Sequence, residues 1–173
     1  MMKAVVMGAV LVMSTGSALA DKPAAAGPDQ RFVVNTARVG IAEVELGKMA
    51  TEKAVSSDVK SFGQRMVNEH GKAGDELKAL AQNKGITVPT EMDAKHKALR
   101  DRLLKMSGES FDHAYIAAML SGHREALAAF RAESRAGKDA DIKAWATKTM
   151  PTISEHLKLA QSTNKAVGTA GRK

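Results

Sequence analysis

The stretch "SDVKSFGQRMVNEHGKAGDELKALAQNKG", residues 57–85, repeats apolar side chains at separations of three, four and seven: Val59, Phe62, Met66, Ala73, Leu77 and Leu80. That spacing places all six on one face of an amphipathic helix over 57–83. Ser56 or Ser57 caps its start and Gly85 stops it. One apolar stripe on so long a helix needs other helices to cover it, so the segment predicts a bundle. His70 lies in the middle of the stripe.

The same pattern continues on both sides. A helix over about 29–54 presents Phe32, Val39, Ala42, Leu46 and Met49. A shorter one over 91–106 presents Met92, Leu99, Leu103 and Met106. Two more follow, 109–136 with Phe111, Tyr115, Met119, Ala126 and Phe130, and 140–166 with Ile142, Trp145, Thr149, Ile153 and Leu159. Pro151 removes one backbone donor from the last helix and predicts a kink there. Ala, Lys, Leu and Glu dominate, and runs of β-branched residues suited to strands are absent.

Connection lengths narrow the topology. Helices 1 and 2, and helices 4 and 5, are joined by a few residues and must form antiparallel hairpins. The stretch 85–108 is long enough to run back along the bundle, its helix alone spanning ~24 Å. The expected fold is therefore all-α, a ferritin-like four-helix bundle with a short crossover helix. An up-down-up-down bundle with the short helix across one end is the alternative.

The first residues, "MMKAVVMGAVLVMSTGSALA", set Lys3 before an apolar run and close on Ala18-Leu19-Ala20. This reads as a secretory signal peptide cut after Ala20, and predicts a periplasmic protein. Residues 21–30 read as a disordered leader, 31–167 as the bundle and 168–173 as a disordered tail. The apolar run is too short to span a membrane, and no later stretch approaches the ~20 apolar residues a transmembrane segment needs. No cysteine is present, so the fold needs no disulfide.

The formal charge of +7 falls to +6 once Lys3 is removed. The charges are interspersed and aromatics are scarce, so nucleic acid is not an expected partner, while weak association with an anionic envelope surface is compatible with the excess charge.

Each long helix carries one metal-competent group among its apolar positions: Glu43, His70, His123 and His156. Measured from the hairpin turns at ~1.5 Å per residue, they stand ~20, ~21, ~21 and ~28 Å away, all near mid-bundle. Three imidazoles and a carboxylate suit a single transition metal ion, zinc, copper or iron. The bland reading is a metal-free histidine network hydrogen-bonded to neighbours such as Glu69, Asp112 or Tyr115. Glu69 and Glu155 precede His70 and His156 and point ~100° away, which assigns them to supporting or surface positions. Glu45 is the fallback if helix 1 is rotated. His96 reads as packing at one end and His113 as surface, and the methionines as core filler.

Val67, Leu120 and Ile153 stand three residues before the histidines, where a di-iron oxidase needs glutamate. Phosphate loops and nucleophile motifs are also missing, so no catalytic residue is assigned.

The segments "AEVELGK" (42–48), "MVNEHGKAGDELKALAQNKGI" (66–86), "SGESFDHAYIAAMLSGH" (107–123) and "MPTISEHLKLA" (150–160) resemble an exported bacterial family catalogued as domain of unknown function 4142. The resemblance covers about 30–162. It implies a ferritin-like bundle without an established activity, and motif positions at Glu43, His70, Phe111, Asp112, Tyr115, His123 and His156. Relatives usually carry aspartate where this chain has Glu69. The expected function is metal binding in the core for storage, buffering or stress protection. A metal-free envelope interaction module is the competing class, and a redox or hydrolytic enzyme using the metal a weaker third.

Overall fold

The computed structural model describes residues 27–170. The signal peptide at 1–20 with its cut after Ala20, residues 21–26 of the leader and 171–173 of the tail lie outside the described residues. Five helices and no strand make up the rest of the chain: α1 (Pro28–Lys53), α2 (Ser57–Asn83), α3 (Ala94–Leu104), α4 (Gly108–Ala136) and α5 (Ala140–Ala170). α1 thus takes in residues expected as leader, and α5 runs past 167. α3 is shorter than the pattern over 91–106 suggested because Asp93 caps it, accepting from the His96 amide at 2.9 Å. α5 continues through Pro151, which faces solvent.

α1 packs on α2 and α4, and α5 on α4 and α2, closing a ring of four helices. Direction is settled by Asp112, four residues into α4, which accepts from the Val55 and Ser56 amides at 3.2 and 2.7 Å. The start of α4 therefore lies beside the α1–α2 turn, and α4 runs antiparallel to α1. At the other end, Lys84 after α2 pairs with Asp139 before α5 at 2.8 Å. The segment between α2 and α4 climbs the full bundle, with Lys53 donating to the Leu104 carbonyl at 2.8 Å as it arrives. This is the ferritin-like crossover and rules out the up-down-up-down alternative.

α1 and α2 approach closely because glycines face each other. A Cβ added at Gly63 would stand 2.8 Å from both the Gly47 carbonyl oxygen and the Ala50 Cβ. Gly85 closes α2 at φ 64°, a left-handed position that favours glycine.

The core has two apolar clusters. One joins Leu46, Phe62, Met66, Leu103, Tyr115, Ile116 and Val167; the other joins Phe32, Leu77, Leu127, Phe130, Trp145 and Ile153. On α2, His70 falls between Met66 of the first and Leu77 of the second. His123 on α4 and His156 on α5 are placed likewise, so a buried polar layer separates the two clusters. Leu127 rather than Ala126 fills the next inward position of α4.

Candidate metal centre

His70, His123 and His156 come from three different helices and are 8, 1 and 1 % exposed. Their ring centroids are 5.6 Å apart for His70–His123, 5.2 Å for His70–His156 and 5.4 Å for His123–His156. One nitrogen from each ring lies within 4.8 Å of the others.

Which nitrogens are free follows from the partners of the rest. His123 Nδ1 faces the Met119 carbonyl oxygen at 2.8 Å, and His156 Nε2 faces Glu69 Oε2 at 2.7 Å. Both partners are acceptors, so these nitrogens carry the protons and the opposite ones carry lone pairs. His70 Nε2, His123 Nε2 and His156 Nδ1 are buried without a hydrogen-bond partner. Unsatisfied buried nitrogens are costly, and a bound ion is one way to satisfy three at once.

Protonation also suits a donor role. Burial, with the neighbouring His123 and His156, pushes His70 down to about 3, and burial lowers His156. Neutral imidazole is the form that binds a metal. Two nitrogens bonded to one ion at ~2.1 Å stand at most ~4.2 Å apart, close to the separations already within 4.8 Å. His70 has room to move, because it lines a cavity of about 430 Å³ walled by residues of α1, α2, α4 and α5, with Gly40, Gly71 and Lys78 among them.

Glu43 reaches the same level but does not join the three. It is 5 % exposed, and its Oε1 lies 3.9 Å from His123 Nδ1, the nitrogen already turned to Met119. Its carboxyl rests against α4, where a Cβ added at Gly122 would stand 3.6 Å away. Burial raises its pKa, His123 and His96 opposing. Helical rise sets height along the axis but not rotation about it, which is why spacing alone placed Glu43 with the histidines.

The expected supports divide. Glu69 holds His156 and binds Arg65 at 2.8 Å. Glu155 is more exposed and completes an Arg65 bridge at 2.9 Å. Asp112 is fully occupied with the α1–α2 turn, away from the imidazoles. Tyr115 is buried, stacked on Phe111 at 5.9 Å, with its hydroxyl unpartnered and its pKa raised by burial and then by Glu43. Arg65 and the Met119 carbonyl are participants that sequence reasoning missed. The four-residue spacing of Arg65 and Glu69 was the available sign of the first; a backbone carbonyl leaves none. Glu45 is exposed and pairs with Arg100 at 3.8 Å, and His113 is on the surface as expected. His96 Nδ1 bonds Asp93 at 2.8 Å.

The fold and its polar layer define a ferritin-like bundle with a histidine cluster at its centre. The chain belongs to the family described as Domain of unknown function (DUF4142), whose model matches residues 14–163. None of the curated proteins matches it. Among solved structures, a chain described as "CopM in the Cu(II)-bound form" is similar in fold, with a TM-score of 0.67 and 16% identity, covering 80% of this chain and 96% of that one. No helix among the described residues is long and apolar enough to cross a membrane, and nothing in the surface suggests nucleic-acid binding.

Proposed function

We propose that His70, His123 and His156 hold one transition metal ion and that the protein, exported through residues 1–20, buffers or stores it. The observation that carries this reading is the set of three convergent, buried ring nitrogens without partners. Their protonation is arranged in advance. Glu69 and the Met119 carbonyl orient two of the rings from behind, as outer partners do at histidine metal sites.

Copper is the ion of first choice, with zinc and iron as competitors. Imidazole donors suit all three, and Cu(II) binds most tightly among the common divalent ions at a given nitrogen site. The fold neighbour solved with Cu(II) supports trying copper first. Three histidines leave a coordination position open, and the cavity beside His70 supplies a route, both of which favour reversible loading over permanent structural use.

The test uses mature protein without a histidine tag. Metal content is measured by elemental mass spectrometry, then copper, zinc and iron are titrated into stripped protein. One ion per chain, lost in His70→Ala and His123→Ala, is the expected result. Binding no stronger than in those variants would overturn the reading and leave the histidines as the polar layer of an envelope interaction module.

A further inference from the structure

A second feature lies on the other side of α1. A groove of about 830 Å³ runs between α1, α3 and α4, walled by Phe32, Val39, Leu99 and Phe130. Four carboxylates line it; Glu125 is bonded to Lys95 and Ser121, and each of the other three has a buried oxygen that accepts no hydrogen bond: Asp29 Oδ1, Glu43 Oε2 and Glu133 Oε1. Glu43 and Glu133 are only 5 and 7 % exposed. Carboxylate oxygens withdrawn from water without a donor are costly, so their recurrence in one groove calls for a ligand that brings donors.

The acidic groups occupy two places along an apolar floor. Glu43 packs at Gly122 of α4, and Glu133 sits eleven residues further along that helix, ~16 Å at ~1.5 Å per residue. Asp29 joins the Glu133 end, where its other oxygen accepts from the Lys138 and Asp139 amides at 2.8 and 2.6 Å. The basic groups in the wall offset them only in part, through the influence of His96 on Glu43. Lys95 is paired with Glu125 at 2.9 Å, His96 with Asp93, and Arg102 is exposed on the rim.

We propose that this groove binds a linear polyamine, one ammonium between Asp29 and Glu133, another at Glu43, and the methylenes against Phe32, Val39 and Phe130. An ammonium brings three donors and no acceptor, which matches carboxylate oxygens lacking donors. The ~16 Å between the two acidic places fits a tetraamine the length of spermine and exceeds a four-carbon diamine. The mature chain's formal charge of +6 repels polycations from the general surface, so binding rests on these local carboxylates. The groove meets the histidine centre at one point, where Glu43 Oε1 lies 3.9 Å from His123 Nδ1.

Spermine and putrescine are titrated calorimetrically into the mature protein. One spermine per chain is expected, with putrescine at least tenfold weaker. Glu133→Gln and Glu43→Gln each weaken spermine tenfold or more. Ala129→Leu, which fills the groove from an exposed position without changing charge, does the same while thermal unfolding stays unchanged. His70→Ala binds spermine normally, which separates this site from the metal reading. Absence of saturable heat, equal affinity for putrescine, wild-type affinity in both Glu133→Gln and Ala129→Leu, or displacement of spermine by equimolar Mg²⁺ would overturn the proposal.

Discussion

Glu69 Oε2 accepts the His156 Nε2 proton at 2.7 Å, while Glu69 Oε1 accepts from Arg65 Nε at 2.8 Å. A ring that is only 1 % exposed is thus tied to the surface through an ion pair. Partial burial works against ionisation, but the bonds and charges of His156 and Arg65 hold the Glu69 carboxyl below its ordinary value. Glu69 therefore selects the tautomer that turns the His156 Nδ1 lone pair inward.

Glu69→Ala removes that selection without touching a ligand. Metal affinity is expected to fall ~10–100-fold, the usual cost of losing a partner behind a ligating histidine. Competition titration against a chelator of known affinity measures it, and an unchanged affinity would show that His156 does not depend on Glu69.

Acid should destabilise the fold through His70. Its folded value is about 3 because of burial, whereas the unfolded chain titrates at the ordinary histidine value near 6.5. Below pH ~6.5 the unfolded state takes up a proton the folded state refuses, so this stability is complete above pH ~6.5 and declines as pH falls towards 3. At ~1.36 kcal/mol per pH unit the loss reaches ~2 kcal/mol by pH ~5. Glu43 and Glu133, both raised by burial, act in the opposite sense. The difference between the urea-unfolding profiles of the parent and His70→Leu isolates the His70 share, and parallel profiles would refute it.

The glycines of α2 should respond in opposite directions. Gly63→Ala places a Cβ 2.8 Å from the Gly47 oxygen and the Ala50 Cβ, so overpacking of ~1–3 kcal/mol is expected to exceed alanine's ~1 kcal/mol helix advantage. Gly74→Ala meets nothing within 4 Å and should stabilise by up to ~1 kcal/mol. Melting temperatures of the two variants compare them directly.

Asp112→Ala leaves the Val55 and Ser56 amides without their acceptor. A loss of ~2–3 kcal/mol in unfolding free energy is expected, since each charge-assisted bond contributes ~1.5–3 kcal/mol and the losses overlap. Metal stoichiometry should not change, and a drop in stoichiometry at full folding would place Asp112 functionally with the histidines.

The sequence by itself determined the five helices, their stripes and the presence of one histidine on each of α2, α4 and α5 at similar height. These are local properties: the 3.6-residue period and the rise per residue are the same in any environment. The hairpins followed from connection length, while the length of 85–108 allowed a crossover without excluding an up-down-up-down bundle. Tertiary structure alone decided the rest. Whether α4 begins beside the α1–α2 turn depended on where the Asp112 carboxylate found donors, more than fifty residues away in the chain. Whether Glu43 faced the imidazoles or α4 depended on how far α1 turned about its own axis, which packing against α2 and α4 sets and no spacing along α1 can encode. The free nitrogen of each ring depended on the Met119 carbonyl and on Glu69 reaching across from α2 to α5, a distribution of protons that exists only once the helices have met.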